Sequence, residues 1–192
     1  DCSWHFGVCA DPTDLYLAVD VADDRAVLAD VLPWQQDGIE VRLDARPDST
    51  RRTPFWGDER PMTAYLLVAL TPVAPGAPAR LVEADRLREL GVRATCVRTA
   101  RGHCTEVAIP AAYLDQRQGS AWRDFRLNIA VDDFDERPGS LAQVLWQPDW
   151  RGTADFQVMG RPRQFAGVSS GNVDSMVANY TANRRPRRND DY

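Results

Sequence analysis

Few residues in this chain could carry chemistry. There are two histidines, His5 and His103, and four cysteines, Cys2, Cys9, Cys96 and Cys104. Acid–base work through imidazole therefore has few places to be. No Gly-x-Ser-x-Gly elbow, His-Glu-x-x-His helix or phosphate loop occurs. Pairs of carboxylates are inevitable among 28 acids, but a glycosidase needs two that face each other across a cleft, and nothing in the sequence places such a pair. The expectation is a chain that is not an enzyme by itself. Cys2, His5 and Cys9 lack a standard zinc spacing. Asp23 and Asp24, and farther on Asp132, Asp133 and Asp135, form two acidic turns. Their oxygens suit calcium, a hard ion that takes several such ligands. Asp also favours turns by bonding its own backbone.

The elements that would position these residues are strands. Ile39, Val41 and Leu43 alternate with Glu40, Arg42 and Asp44. Phe125, Leu127, Ile129 and Val131 alternate with Arg126, Asn128 and Ala130. Period-two alternation is the mark of a half-buried strand, so the first set of each faces a core and the second a polar face. Further strands are expected at 15–21, 64–70, 92–98, 104–109, 143–146 and 155–159, separated by turn clusters such as Asp11-Pro12-Thr13-Asp14 and Arg137-Pro138-Gly139-Ser140. Helical signal is confined to about two turns at 84–90 and one at 110–114. This pattern predicts an all-β fold, an antiparallel two-sheet β-sandwich with one or two short helical turns. Cys96 and Cys104 flank Arg101-Gly102, so a hairpin there brings them to neighbouring strands; a disulfide between them is one pairing, and four buried thiols another.

The length of 192 residues fits one domain, with a sandwich over 1–182 and a disordered tail over 183–192, where NRRPRRNDDY holds no apolar residue before Tyr192. The net charge of −5 argues against a general attraction to nucleic acid. No stretch reaches the ~18 apolar residues that span a bilayer. The abrupt start at Asp1-Cys2-Ser3-Trp4 reads as a piece of something longer.

Four segments in order resemble carbohydrate-binding module family nine: Asp14–Asp24 (DLYLAVDVADD), Pro33–Arg46 (PWQQDGIEVRLDAR), Gly102–Pro110 (GHCTEVAIP), and Phe125–Asp135 (FRLNIAVDDFD) with the Leu145-Trp146 that follows. The resemblance covers about residue 13 to 160. It departs at the N-terminus, where the family's opening strand is missing or altered, after Gly160, and in Pro47–Met62. It implies a non-catalytic module that binds a poly- or oligosaccharide, belongs to a larger multidomain protein, and acts outside the cell or in the periplasm. In sugar-binding members two Trp sandwich one ring while Glu, Arg, Asn and Gln make the polar contacts. By this resemblance Trp34 matches the first Trp and Glu40 the Glu. The second Trp would be Trp146 or Trp150, and Arg126, Asn128 and Arg137 are the remaining polar candidates.

The residues agree in part. Trp34 precedes an Asp-Gly turn, where an aromatic can stand out of the sheet, and Glu40 follows six positions later on the polar face. Trp4, Trp122 and Trp146 are equally suited to the core. Two stacked Trp, each covering about 100 Å² of a sugar face, would contribute roughly 5 kcal/mol together. Against an association cost of ~4 kcal/mol or more, that leaves affinity in the micromolar to millimolar range. Two other functions fit the same sandwich. One is a structural or interaction domain without ligand. The other is a haem-binding electron-transfer domain, which needs axial ligands; Met62, Met159, Met176, His5 and His103 are available.

Overall fold

The two most strictly alternating segments become central strands and pair with each other. The structure, a computed structural model, describes residues 2–31, 35–47, 65–135 and 143–146, and the backbone of 157–160 and 165–170. In chain order the elements are β1 (Cys2–Ala10), β2 (Asp14–Asp23), β3 (Gly38–Asp44), β4 (Leu66–Thr71), β5 (Arg80–Leu81), α1 (Ala84–Glu89), β6 (Arg93–Thr99), β7 (Gly102–Pro110), α2 (Ala111–Gln118), β8 (Asp124–Asp132), β9 (Gln143–Leu145), β10 (Gln157–Gly160) and β11 (Phe165–Ser170). One sheet runs β11-β1-β2-β7-β6 and the other β10-β8-β3-β4-β5, with β9 also paired to β8. Every ladder between these strands is antiparallel.

The register puts apolar residues in layers between the sheets. Trp4, Phe6 and Val8 of β1 stand opposite Val21, Val19 and Leu17 of β2. Ile39, Val41 and Leu43 of β3 stand opposite Val131, Ile129 and Leu127 of β8 and Leu70, Val68 and Leu66 of β4. All are buried in one core, as the alternation predicts. Burying a Leu, Ile or Val side chain contributes roughly 1.5–3 kcal/mol, which makes these inner faces the main source of stability.

Three departures from the sequence reading have clear causes. An opening strand is present: β1 lies between β2 and β11, its polar positions alternating with Trp4, Phe6 and Val8. The helix after Pro110 runs eight residues to Gln118 and ends at Gly119 in the left-handed region, φ 71°, where Gly carries no steric penalty. The third concerns Cys96 and Cys104. They do lie on neighbouring strands of a hairpin, but Cys96 pairs in register with Thr105, and Cys104 with Val97. Alternation then sends Cys96 into the core and Cys104 to the outer face, and all four cysteines are free thiols. The proposed tail at 183–192 lies outside the described residues.

The turn of that hairpin depends on Gly102, whose φ is 134°. A Cβ there would meet the carbonyl oxygen of Val21 at 2.1 Å. Gly76 also has a positive φ, 81°, but its Cβ would meet nothing within 4 Å. Gly102→Ala is expected to cost about 2 kcal/mol or more, and Gly76→Ala about 1 kcal/mol. Urea unfolding of both variants checks this; equal losses would contradict the close-approach argument.

Candidate functional site

The outer face of the second sheet, read from alternation as a polar face, is buried at Glu40, Asn128 and Asp132. Glu40 is 3% exposed, Asn128 1% and Asp132 1%. The charges leave water because they pair on the sheet surface. Arg42 Nη2 donates to Glu40 Oε2 at 2.6 Å and Nη1 donates to the Tyr65 hydroxyl at 3.1 Å, with the guanidinium carbon 5.5 Å from the Tyr65 ring centre. Gln143 on β9 donates from Nε2 to Asp132 Oδ1 at 2.8 Å and reaches Glu40 Oε1 at 3.5 Å. Beside them Arg46 holds Asp44 through both carboxylate oxygens, at 3.0 and 2.9 Å. Glu40, expected on a polar face as a sugar contact, stands on that face but is buried in these pairings.

Burial raises the Asp132 carboxyl to about 8, with the neighbouring Glu40 charge adding to the effect. Burial also lowers the Arg42 guanidinium, against the Glu40 charge that supports it. Such a cluster can accept and donate several hydrogen bonds to one polyhydroxylated ligand, a carboxylate and a guanidinium together being matched to neighbouring hydroxyls. Gln143, Arg42 and Tyr65 were not among the sequence candidates. Arg42 was visible as the polar neighbour of Glu40 at i+2; Gln143 and Tyr65 come from distant chain positions and had no local signal.

The remaining candidates separate. Asn128 and Arg126 lie on the same outer face, opposite Arg42 and Asp44 in register, though the Asn128 side chain accepts from the Ile129 N–H at 2.8 Å. Trp146 is withdrawn as a platform: it is 3% exposed and meets the Phe6 ring edge-on at 4.7 Å, so it belongs to the core. Trp34, Trp150 and Arg137 lie outside the described residues. The residues flanking Trp34 are nevertheless anchored, because Gln36 accepts from the Ala29 N–H at 2.9 Å and donates to the Val31 carbonyl at 2.8 Å.

At one end of the sandwich Asp23, Asp37 and Asp133 converge, with one carboxylate oxygen of each within 4.8 Å of the others. Asp23 and Asp133 were expected; Asp37 was missed because it stands in the turn before β3, and only folding brings it to the other two. Asp132 faces the opposite way, toward Gln143, and leaves the expected set; Asp24 and Asp135 are exposed, outside the converging trio but near enough for their charges to act on Asp23 and Asp133. Asp37 also accepts from the backbone N–H groups of Val27 and Phe134. Burial raises Asp37 to about 7 and Asp133 to about 6, with the neighbouring acids adding to both.

Neither histidine stands in a cofactor-like setting. His5 is exposed beside Asp20, at 3.8 Å. His103 is buried with Nδ1 3.4 Å from Cys96 Sγ, and burial lowers it to about 4. A groove of about 810 Å³ lies on the outer face of the other sheet, lined by residues such as Gly7, Tyr16, Ala18 and Ala108. Two of its polar groups are engaged locally: Tyr16 donates to Asp11 at 3.0 Å and Arg93 pairs with Asp14 at 3.1 Å. The buried, mutually bonded polar groups are on the β3–β8 face.

Comparison with known proteins gives two results. Residues 136–192 match the family model Radical SAM N-terminal. In the same vein, a UPF0313 protein of Thermotoga maritima is 59% identical over 54 residues, 28% of this chain and 10% of that protein. The UPF0313 protein YgiQ of Escherichia coli is 46% identical over 57 residues, 30% of this chain and 8% of that protein. The chain thus spans about a tenth of these relatives. Among solved structures, a carbohydrate binding module family 9 from Caldicellulosiruptor kristjanssonii in complex with cellotriose superposes with a TM-score of 0.60 at 16% identity, over 83% of this chain and 75% of that one. The same module in complex with glucose gives 0.61 at 17%, over 85% and 78%.

These findings correct the expectation of a non-enzyme, since the radical SAM and UPF0313 similarity points to an enzyme-family protein. Radical SAM chemistry implies an iron–sulfur cluster held by Cys thiolates. The residues of this chain do not fit one. The matched segment contains no Cys. On β1, Cys2 is buried and Cys9 exposed, and on the β6–β7 hairpin Cys96 and Cys104 point to opposite faces. The chain therefore has the sandwich fold of family-nine carbohydrate-binding modules over most of its length, and its C-terminal segment is similar to the N-terminal region of radical SAM proteins.

Proposed function

We propose that this chain is the saccharide-binding portion of a longer protein of the radical SAM kind. The observation that carries the reading is the Glu40–Arg42–Gln143 cluster on the outer face of β3, β8 and β9, with Glu40 six residues after Trp34, in a fold shared with modules solved in complex with cellotriose and glucose. In this reading Trp34 stacks on a sugar face while Glu40 and Arg42 contact its hydroxyls. Asn128 and Arg126 supply further polar contacts from β8, and Trp150 and Arg137 complete the site. A paired carboxylate already fixed in position loses little freedom on binding, which favours a small, rigid ligand.

Glu40→Gln keeps the volume and removes the charge. It is expected to weaken cellotriose binding about tenfold to a hundredfold, the worth of one hydrogen bond to a charged group. Trp34→Ala should weaken it about thirtyfold through lost stacking. Titration calorimetry on variants with wild-type near-UV circular dichroism checks both, and unchanged affinity in the two variants rejects the site.

For Asp23, Asp37 and Asp133 we propose calcium, whose oxygen preference matches three converging carboxylates. Without the ion, the folded state keeps protons on Asp37 and Asp133 up to pH of about 7 and 6, whereas the unfolded chain releases them near pH 3.9. The folded state then binds more protons across this window, so stability is greatest near pH 4 and falls as pH rises to 7. In chelator the urea midpoint should fall over that range, and millimolar calcium should restore it at pH 7. A midpoint indifferent to calcium at pH 7 rejects the ion.

A further inference from the structure

The segment that matches the radical SAM N-terminal model, residues 136–192, contains β9, β10 and β11. These strands belong to both sheets. β9 and β10 pair along the same edge of β8, and β11 pairs with β1 across six residues, from Ser3↔Ser170 to Val8↔Phe165. The described strands of the segment are thus part of the sandwich by backbone hydrogen bonding, and the polar cluster on the β3–β8 face draws one member from it. Gln143 stands opposite Asp132 in the β8–β9 register, and its one amide nitrogen is shared between Asp132 Oδ1 and Glu40 Oε1. Asp132 Oδ2 is buried without a hydrogen-bond partner, so the amide is what satisfies this carboxyl group among the described residues.

Resting on the saccharide reading above, we propose that Gln143 is a positioning residue for Glu40, and that occupancy of the site is transmitted through it to the radical-SAM-like segment. The amide holds one Glu40 oxygen while Arg42 holds the other, which sets the plane of the carboxylate. A ligand that needs Glu40 in that plane binds the state with β9 docked on β8 better than the state with β9 released. By linkage the ligand must then stabilise β9 on the sheet, and docking of β9 must tighten the ligand by the same factor. The immediate neighbours carry the effect: Trp146, one residue beyond β9, donates its backbone N–H to the Ile129 carbonyl at 2.9 Å and packs its ring on Phe6, and Phe6 pairs in register with Gly167 of β11.

The test uses the full chain with cellotriose and glucose as probes. Affinity is measured for the wild type, Gln143→Ala and the volume-conserving Gln143→Met. Amide hydrogen exchange of residues 143–146 and 165–170 is followed with and without cellotriose. The expected result is about a tenfold loss of affinity in both variants, with protection of 143–146 rising on cellotriose in the wild type and not in the variants. If Gln143→Ala does not fold, Gln143→Met decides. Wild-type binding with undiminished affinity in Gln143→Met, or with no ligand-dependent protection of 143–146, overturns the coupling and leaves the saccharide site standing. Absence of binding in the wild type overturns the saccharide reading, and this inference with it.

Discussion

Strand β3 is buried on both faces. Its inner face, Ile39, Val41 and Leu43, meets the core, which any sandwich strand does. Its outer face carries Glu40 and Arg42, and a charged group taken out of water costs several kcal/mol unless it is paired and hydrogen-bonded. The pair at 2.6 Å answers that cost, and it also requires Tyr65 and Gln143 to satisfy what the pair leaves over. A residue from the stretch before β4 and another from β9 are thereby drawn to one place. Truncating one member would leave its partner buried and uncompensated, which is more damaging than removing the whole group.

The two polar centres of the molecule solve this problem differently. On the β3–β8 face, carboxylates are paired with guanidinium groups, Glu40 with Arg42 and Asp44 with Arg46. In the turn cluster, Asp23, Asp37 and Asp133 crowd together, and burial pushes their acids toward the neutral form. Asp37 is at once a member of that cluster and a structural staple, since its two oxygens accept backbone N–H groups from the segment before it and from the end of β8. Anything that alters the charge there acts on the entry to β3, whose first residue, Gly38, follows Trp34 by four positions.

The C-terminal segment unites two similarities that would otherwise look separate. It matches radical SAM N-terminal sequences, yet its backbone completes both sheets of a fold shared with sugar-binding modules. An edge strand exposes unpaired backbone groups, and β11 on β1 and β9 and β10 on β8 cover two such edges. Among the described residues, the strands of the matched segment are therefore paired within the two sheets.

By itself the sequence determined what depends on local periodicity. Alternation assigned the inner faces of β3 and β8 correctly, because a side-chain period of two leaves one way to bury Ile39, Val41, Leu43, Leu127, Ile129 and Val131. The same rule placed the β6–β7 hairpin around Gly102. It could also have excluded the Cys96–Cys104 disulfide, had the register been known, since opposite parity sends the two thiols to opposite faces. What only the tertiary structure decided is which side chains from distant strands meet. Alternation separates a core face from an outer face and placed Glu40 on the outer one, but it cannot tell that the outer face of β3 is itself buried. Asp37, Tyr65 and Gln143 carry no local mark of their roles. They acquire them because strand pairing brings positions far apart in the chain within hydrogen-bonding distance, and that distance is a property of the fold.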